Sequence, residues 1–272
     1  MKRKKFKMKK LILFLSIILL SLSACVEEKA LTPVEQINIQ SSRDYLLAEN
    51  LFNHIYRSIE DGFIYNGQAK NCPSYTLLNN NNNNSDTLII DFGEENCLQF
   101  GQLKRGQIIS TFDNEYHTPG AIINTTFSQF YINNILIEGN LELSCLDNNI
   151  YQLEISDASL TTGYGVININ ASLEKEMING QNSSYNYLDD VYLINGNISG
   201  NSSNGNNFDI IITDPITYEL SCFQSSSCIT KSGQAIITPN NYEERLINYG
   251  DSLCNCDITV EYNNETTLIV LD

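Results

Sequence analysis

The side chains of this 272-residue chain that could do chemistry are eight cysteines, two histidines and 32 carboxylates. Catalysis finds little among them. With only His54 and His117 as bases, and no G-x-S-x-G near either, a Ser-His-Asp or Cys-His arrangement has no recognisable frame. No H-E-x-x-H, P-loop or strand-to-helix G-x-G-x-x-G occurs. Carboxylates are so common that no pair of them marks a glycosidase. The expectation is therefore a protein without enzymatic activity. His54 reads as a helix-surface residue, and His117, within Tyr116-His117-Thr118-Pro119-Gly120, as a turn residue. Oxygen ligands gather at Asn248, Asp251, Asn255 and Asp257, with a partial echo in Asp91, Glu94 and Glu95. Calcium is the ion such a set would suit, although the spacing is not that of an EF-hand loop. Zinc held by Cys222, Cys228, Cys254 and Cys256 is the other metal reading. It favours C-x₂-C knuckles, from which Cys254-Asn255-Cys256 departs.

The remaining cysteine chemistry depends on where the chain goes. Seven of its 16 Lys and Arg lie in the first ten residues, and an apolar run, Leu11–Leu22, follows. Twelve apolar residues are too few for a membrane-spanning stop-transfer helix and suit a signal-peptide core. Leu22-Ser23-Ala24-Cys25 comes next and resembles the lipobox of bacterial lipoproteins. The resemblance implies a thioether between the Cys25 sulfur and a diacylglycerol, with the small Ser23 and Ala24 admitting the peptidase. Residues 1–24 would be removed, and two or three acyl chains on Cys25 would hold the protein to a membrane, since one chain alone is marginal. Val26 in place of Asp implies, by resemblance to lipoprotein sorting rules, the outer membrane. Glu27-Glu28-Lys29 looks like the acidic export signals of surface lipoproteins, or else is a solvated tether.

An exported chain meets an oxidising compartment, so its cysteines read first as disulfides. Cys72 and Cys97 would close a loop carrying six consecutive asparagines at 79–84. Cys222, Cys228, Cys254 and Cys256 admit Cys222–Cys254 with Cys228–Cys256, or the reverse pairing. Cys145 is left over as a buried thiol. Without residues 1–24 the chain carries 9 basic against 32 acidic groups. Such a surface repels phosphate backbones, which excludes nucleic acid as a partner.

The elements that must position these residues follow from periodicity. Residues 25–40 form a tether. A helix is expected from Ser42 to Glu60, capped by Ser41 or Ser42, with Asp44 near its positive end and Asp61-Gly62 closing it. Its apolar stripe is Tyr45, Ala48, Phe52, Ile55 and Ile59. From Phe63 the period changes to two. Ile135, Ile137, Leu141, Leu143 and Cys145 share one face, and Glu138, Asn140, Glu142 and Ser144 the other. Tyr151, Leu153 and Ile155 repeat this pattern, as do Ile216, Tyr218, Leu220 and Cys222. Turn signals at Asn133-Asn134, Asp147–Asn149, Asn179-Gly180, Asn204-Gly205 and Asn263-Asn264 separate the runs. The expected fold is mainly β: a long, curved antiparallel meander of about ten or more strands with one N-terminal helix packed on it, forming a single domain over 41–272.

Fragments repeat within the chain. Tyr151–Asp157 matches Phe208–Asp214, Gly139-Asn140-Leu141 matches Gly196-Asn197-Ile198, and Ile90–Cys97 matches Ile247–Cys254. Gly106-Gln107 and Gly233-Gln234 each read as opening an Ile-Ile strand. These repeats suggest duplicated hairpin modules. Tyr131, Tyr185 and Tyr187 fall out of register with the core face. They would either bind a glycan or protein partner or cover gaps between strands.

The lipobox, short helix and hairpins with Ile-Asp/Asn-aromatic-Gly-acid turns ending in Cys together resemble a broad group of outer-membrane and surface lipoproteins of Bacteroidota. The resemblance runs from about Ser42 to the C-terminus and implies location and fold, with no activity to carry over. Members tend to have Gly-Asp-Gly before the Cys and Trp on several strands. Here Gly93-Glu94-Glu95 and Gly250-Asp251-Ser252 lack the second Gly, and Trp is absent. The expected role is that of a lipid-anchored envelope protein binding a partner or supporting the cell surface. The alternative is a periplasmic carrier with an apolar ligand or lipid inside a curled sheet.

Overall fold

Period-two alternation governs nearly the whole chain, and in the computed structural model it becomes one sheet. The structure describes residues 39–65, 72–79, 85–114, 118–183, 186–226 and 228–271. Residues 1–24, Cys25, most of the tether, His117, Tyr185 and residues 80–84 of the asparagine run lie outside them. Among the described residues the strands are β1 (Ser74–Leu78), β2 (Asp86–Asp91), β3 (Cys97–Gln99), β4 (Gln102–Phe112) and β5 (Ile122–Ile132). There follow β6 (Ile135–Asp147), β7 (Ile150–Thr162), β8 (Gly165–Asn179), β9 (Val191–Asn201) and β10 (Asn207–Glu219). The last four are β11 (Thr230–Pro239), β12 (Arg245–Asn248), β13 (Asp257–Tyr262) and β14 (Glu265–Val270). Each pairs antiparallel with its sequence neighbour, except that β2 pairs directly with β4 and β3 adds only to the start of β4. The result is a curved, unclosed 14-stranded meander.

Register carries the alternation across the sheet. One row of directly paired residues runs Leu88, Ser110, Thr125, Leu141, Ile155, Ala171, Ile198, Ile210, Ile237 and Arg245, and all are buried. The adjacent row includes Thr111, Asn124, Glu142, Glu154, Ser172 and Asn197 on the other face, none of them buried. A one-residue slip would exchange the rows, so burial of one face locks the register. The expected Asn-Asn turns hold it too: Asn133 and Asn134 have φ of 48° and 65°, Asn263 and Asn264 50° and 62°. Two left-handed residues in succession are what a tight hairpin requires.

The helix α1 spans Gln40–Tyr65, longer than its sequence signals at both ends. Ser41 and Ser42 lie inside it rather than capping it. Asp44 accepts from the Ser203 N–H and hydroxyl, each at 2.7 Å, fastening the β9–β10 turn to the first helical turn. Gly62 does not end the helix, because there the lack of a side chain serves packing: a Cβ would lie 2.8 Å from Leu88 Cδ2. The helix is buried on all sides, 18 of its 26 residues being inaccessible. It packs on the buried face of the sheet as expected, and the curvature of the sheet brings strands around more than one of its sides. No helix among the described residues is long and apolar enough to cross a membrane.

Two of the repeated fragments, Ile90–Cys97 and Ile247–Cys254, make equivalent contacts. The Phe92 N–H donates to the Gly106 carbonyl at 2.9 Å, and that of Tyr249 to the Gly233 carbonyl at 3.1 Å. Asp91 and Asn248 each accept from the glycine two residues on, Gly93 and Gly250. Gly106 and Gly233 sit within β4 and β11 rather than opening them. Both lie beside register irregularities, with φ of 84° and 120°, and a Cβ on Gly233 would approach Ile216 Cα to 2.6 Å. The alternation through Cys222 is also interrupted: β10 stops at Glu219, and Leu220–Gln224 is a 3₁₀ turn that carries Cys222 to its disulfide.

Cys72–Cys97, Cys222–Cys254 and Cys228–Cys256 are bonded, with Cα separations of 6.1, 5.2 and 5.5 Å, and Cys145 is a buried free thiol. Each bridge contributes roughly 2–4 kcal/mol. Peptide mapping without reduction should recover these three linked pairs, and Cys145 should alkylate only after denaturation. A Cys222–Cys256 peptide would contradict the pairing.

Candidate functional site

Enclosing α1 buries charges and amides that a surface helix would leave in water, and the sheet answers some of them while Arg57 pairs within the helix. The helix residues at 45, 48, 49, 52, 53, 56, 57 and 60 form one stripe by their three- and four-residue steps. This stripe faces β7–β10, Leu220 and Ile229 across a mostly apolar cavity of about 60 Å³. Three polar groupings interrupt the apolar packing along the helix.

The first centres on Glu49. Its carboxylate accepts from the Tyr218 hydroxyl at 2.6 Å and the Tyr249 hydroxyl at 2.9 Å. The Tyr45 hydroxyl lies 2.9 Å from that of Tyr249. With Tyr249's one proton given to ionised Glu49, Tyr45 is the donor in that contact. Glu49 is half-buried and is among the residues that line the cavity. Burial raises its carboxyl from 4.5 to about 7, with the tyrosine hydroxyls opposing.

The second grouping is Glu60 with Lys175 of β8, whose ammonium lies 3.7 Å away and 3.8 Å from the Tyr192 ring centroid. Asp190 accepts from the Tyr192 hydroxyl at 3.0 Å. Burial, then the charge of Glu60, pushes the Asp190 carboxyl up to about 7.

The third runs across the other side of the helix. Lys104 of β4 is wholly buried and donates to Ser58 Oγ (2.7 Å), Gln99 Oε1 (3.0 Å) and the His54 carbonyl (3.3 Å). Burial lowers its ammonium to about 7, with Asp61 opposing and Arg57 adding to the fall. Gln99 donates to the Tyr75 hydroxyl, which donates to Asp61, each at 3.3 Å. Arg57, 2% exposed, lies 3.5 Å from Asp61 and is held between the rings of Tyr187 at 3.2 Å and Phe100 at 4.7 Å.

The residues singled out from sequence are placed differently. His54 is fully buried with its ring 5.0 Å from Phe223, so it is no surface residue: the curl covers the helix face that one-sided packing would leave in water. Asn248 caps Gly250, and Asn255 donates to Asp257 at 2.9 Å, so these oxygens serve local turns. Among the described residues no group of three or more His, Cys, Asp or Glu side chains is arranged to hold a metal. The four C-terminal cysteines proposed as zinc ligands are paired as disulfides. Tyr131 stacks under Arg105 at 3.8 Å and Tyr187 under Arg57, so both are half-buried covers over cations. Glu49 and Glu60, the two carboxylates of the cavity stripe, stand eleven residues apart, or about 16 Å along a helix. Paired glycosidase carboxylates stand about 5–9.5 Å apart. No family model, curated protein or solved structure matches this chain.

Glu49, Lys104 and Lys175 escaped the sequence reading. Lys175 had a legible signal: it follows Ala171 and Leu173 in the inward phase of β8 and precedes Met177.

Because folding raises the Glu49 carboxyl, the native state binds its proton more tightly than the unfolded chain does. The associated stability is complete below about pH 4.5 and is lost as pH rises through about 7, a span worth about 3 kcal/mol. Lys104, lowered by burial, acts oppositely above that range, favouring the fold as it deprotonates. Glu49→Gln, which mimics the neutral carboxyl, should match the parent near pH 4 and exceed its denaturant stability by up to about 3 kcal/mol near pH 8. An equal offset at both pH values would refute this assignment.

Proposed function

We propose that the protein is a lipid-anchored, non-enzymatic component of the bacterial cell envelope, held by Cys25 at the outer membrane and serving a binding or structural role there. The observation that carries the proposal is the disulfide set: six of the seven cysteines after Cys25 are paired, and the seventh is buried. Stable disulfides belong to compartments outside the cytoplasm. The leader Lys2–Leu22 and the Leu22–Cys25 motif supply a route there.

The same geometry favours this reading over the carriage of lipid. The helix occupies the curl that an acyl chain would need and leaves about 60 Å³. Pockets that enclose drug-sized ligands span roughly 300–1,000 Å³. One stretch of the outward face, the row Asn124, Glu142, Glu154, Ser172 and Asn197, is hydrophilic and suits contact with water, glycan or a polar protein surface.

Expression of Cys25→Ser should move the protein from the membrane to the soluble fraction and abolish incorporation of labelled acyl chains. Unlabelled wild-type protein, or variant protein that still sediments with membranes after an alkaline wash, would overturn the anchor.

A further inference from the structure

We propose that the cavity beside Glu49 is a binding site for a small organic cation, a primary ammonium on a short apolar chain. Glu49 is a carboxylate inside the fold whose hydrogen-bond partners are hydroxyls, with no cation among them in the described residues. The two cations on the cavity wall are engaged elsewhere, Lys175 with Glu60 and Arg57 with Asp61. A buried charge without a counter-charge either takes up a proton or acquires a partner. Glu49 lines the cavity, so a partner held there would lie beside it.

The rest of the wall suits such a ligand. Tyr45, Phe52 and Tyr218 bring aromatic rings to the cavity, whose negative faces attract cations, while the rings of Tyr56 and Tyr192 already face the Lys175 ammonium. Ile194, Ile198 and Ile216 are among the residues that would receive a short hydrocarbon tail. At about 60 Å³ the cavity exceeds the roughly 10–15 Å³ that a single water needs and is too small for a bulky ligand, which points to a short amine. An anion would meet Glu49 without a free cation to offset it, and a neutral alcohol would leave the carboxylate uncompensated. The excess of acidic residues over the mature chain also draws cations toward the protein.

Proton balance follows. Where Glu49 is protonated, binding of the ammonium returns its proton to solvent, leaving a carboxylate–ammonium pair. The other titratable groups around the carboxyl are the hydroxyls of Tyr45 on α1, Tyr218 on β10 and Tyr249 after β12. Burial raises all three well above their ordinary value, so they stay neutral throughout. The site rests on the cavity alone and stands or falls separately from the anchor at Cys25.

The test is isothermal titration of the mature full-length protein with n-butylammonium chloride and with 1-butanol, near pH 8 and near pH 5. Saturable binding of the ammonium near pH 8 is expected, at least about tenfold tighter than that of the alcohol and weakened about tenfold or more near pH 5. Glu49→Gln should erase the preference for the ammonium. Equal binding of the two probes, no saturable binding near pH 8, or full retention of the preference in Glu49→Gln would overturn the proposal. Should that variant fail to fold, the wild-type comparison of ammonium with alcohol decides the matter by itself.

Discussion

A helix with charged or amide side chains on every turn has been placed where water cannot reach it, and that constraint organises the rest of the molecule. Asp44, Asn50, Asn53, Arg57, Glu60 and Asp61 are all buried on α1. Each unmatched charge in such a place would cost several kcal/mol. The sheet curls far enough to bring answering groups from distant strands: Lys104 from β4, Lys175 from β8, Tyr218 from β10 and Tyr249 from beyond β12. Ser203 reaches Asp44 from the β9–β10 turn. Apolar contacts from Leu46, Phe52, Ile55 and Ile59 supply the driving force, and the polar contacts determine the axial position and rotation at which the helix fits.

This constraint explains why the meander is long and why it curves. A flat sheet could cover one stripe of the helix, leaving its second face to solvent. Wrapping both faces requires inward rows that keep phase over many strands, as the buried row from Leu88 to Arg245 does. The two Ile-Asp/Asn-aromatic-Gly turns make the same backbone contact at Gly106 and Gly233, and each sends a buried ring inward, Phe92 toward Phe130 and Tyr249 toward Glu49. One copy of the module therefore completes an apolar cluster and the other a polar one. Disulfides tie both: Cys97 follows the first turn and Cys254 the second.

Much of the sheet was readable from residue order because strand alternation and hairpin turns are local. The faces of β6 and β7 and the left-handed Asn-Asn pairs needed no tertiary information. The helix was harder. Tyr45, Ala48, Phe52, Ile55 and Ile59 mark one apolar stripe, and by local rules the remaining positions belong in water. Their burial depends on a curl produced by strands 40 to 200 residues away, so His54 was misplaced and Glu49 passed over. Gly62 illustrates the same limit: the residue that commonly ends a helix is here a gap for Leu88 and Ile90. Of the polar groups around the cavity, Tyr45 and Tyr218 follow from periodicity, and Lys175 carries the same signal, as a cation in the inward phase of a strand.

The matching of helix charges by sheet charges is most directly tested by a double-mutant cycle on Glu60 and Lys175, read by denaturant unfolding at neutral pH. Lys175→Met should destabilise the protein by about 3–5 kcal/mol, because Glu60 stays buried and loses its cation. Adding Glu60→Gln should restore most of that loss. If the two substitutions simply add, with the double variant weaker than either single one, the helix is not held by charge matching and the account fails.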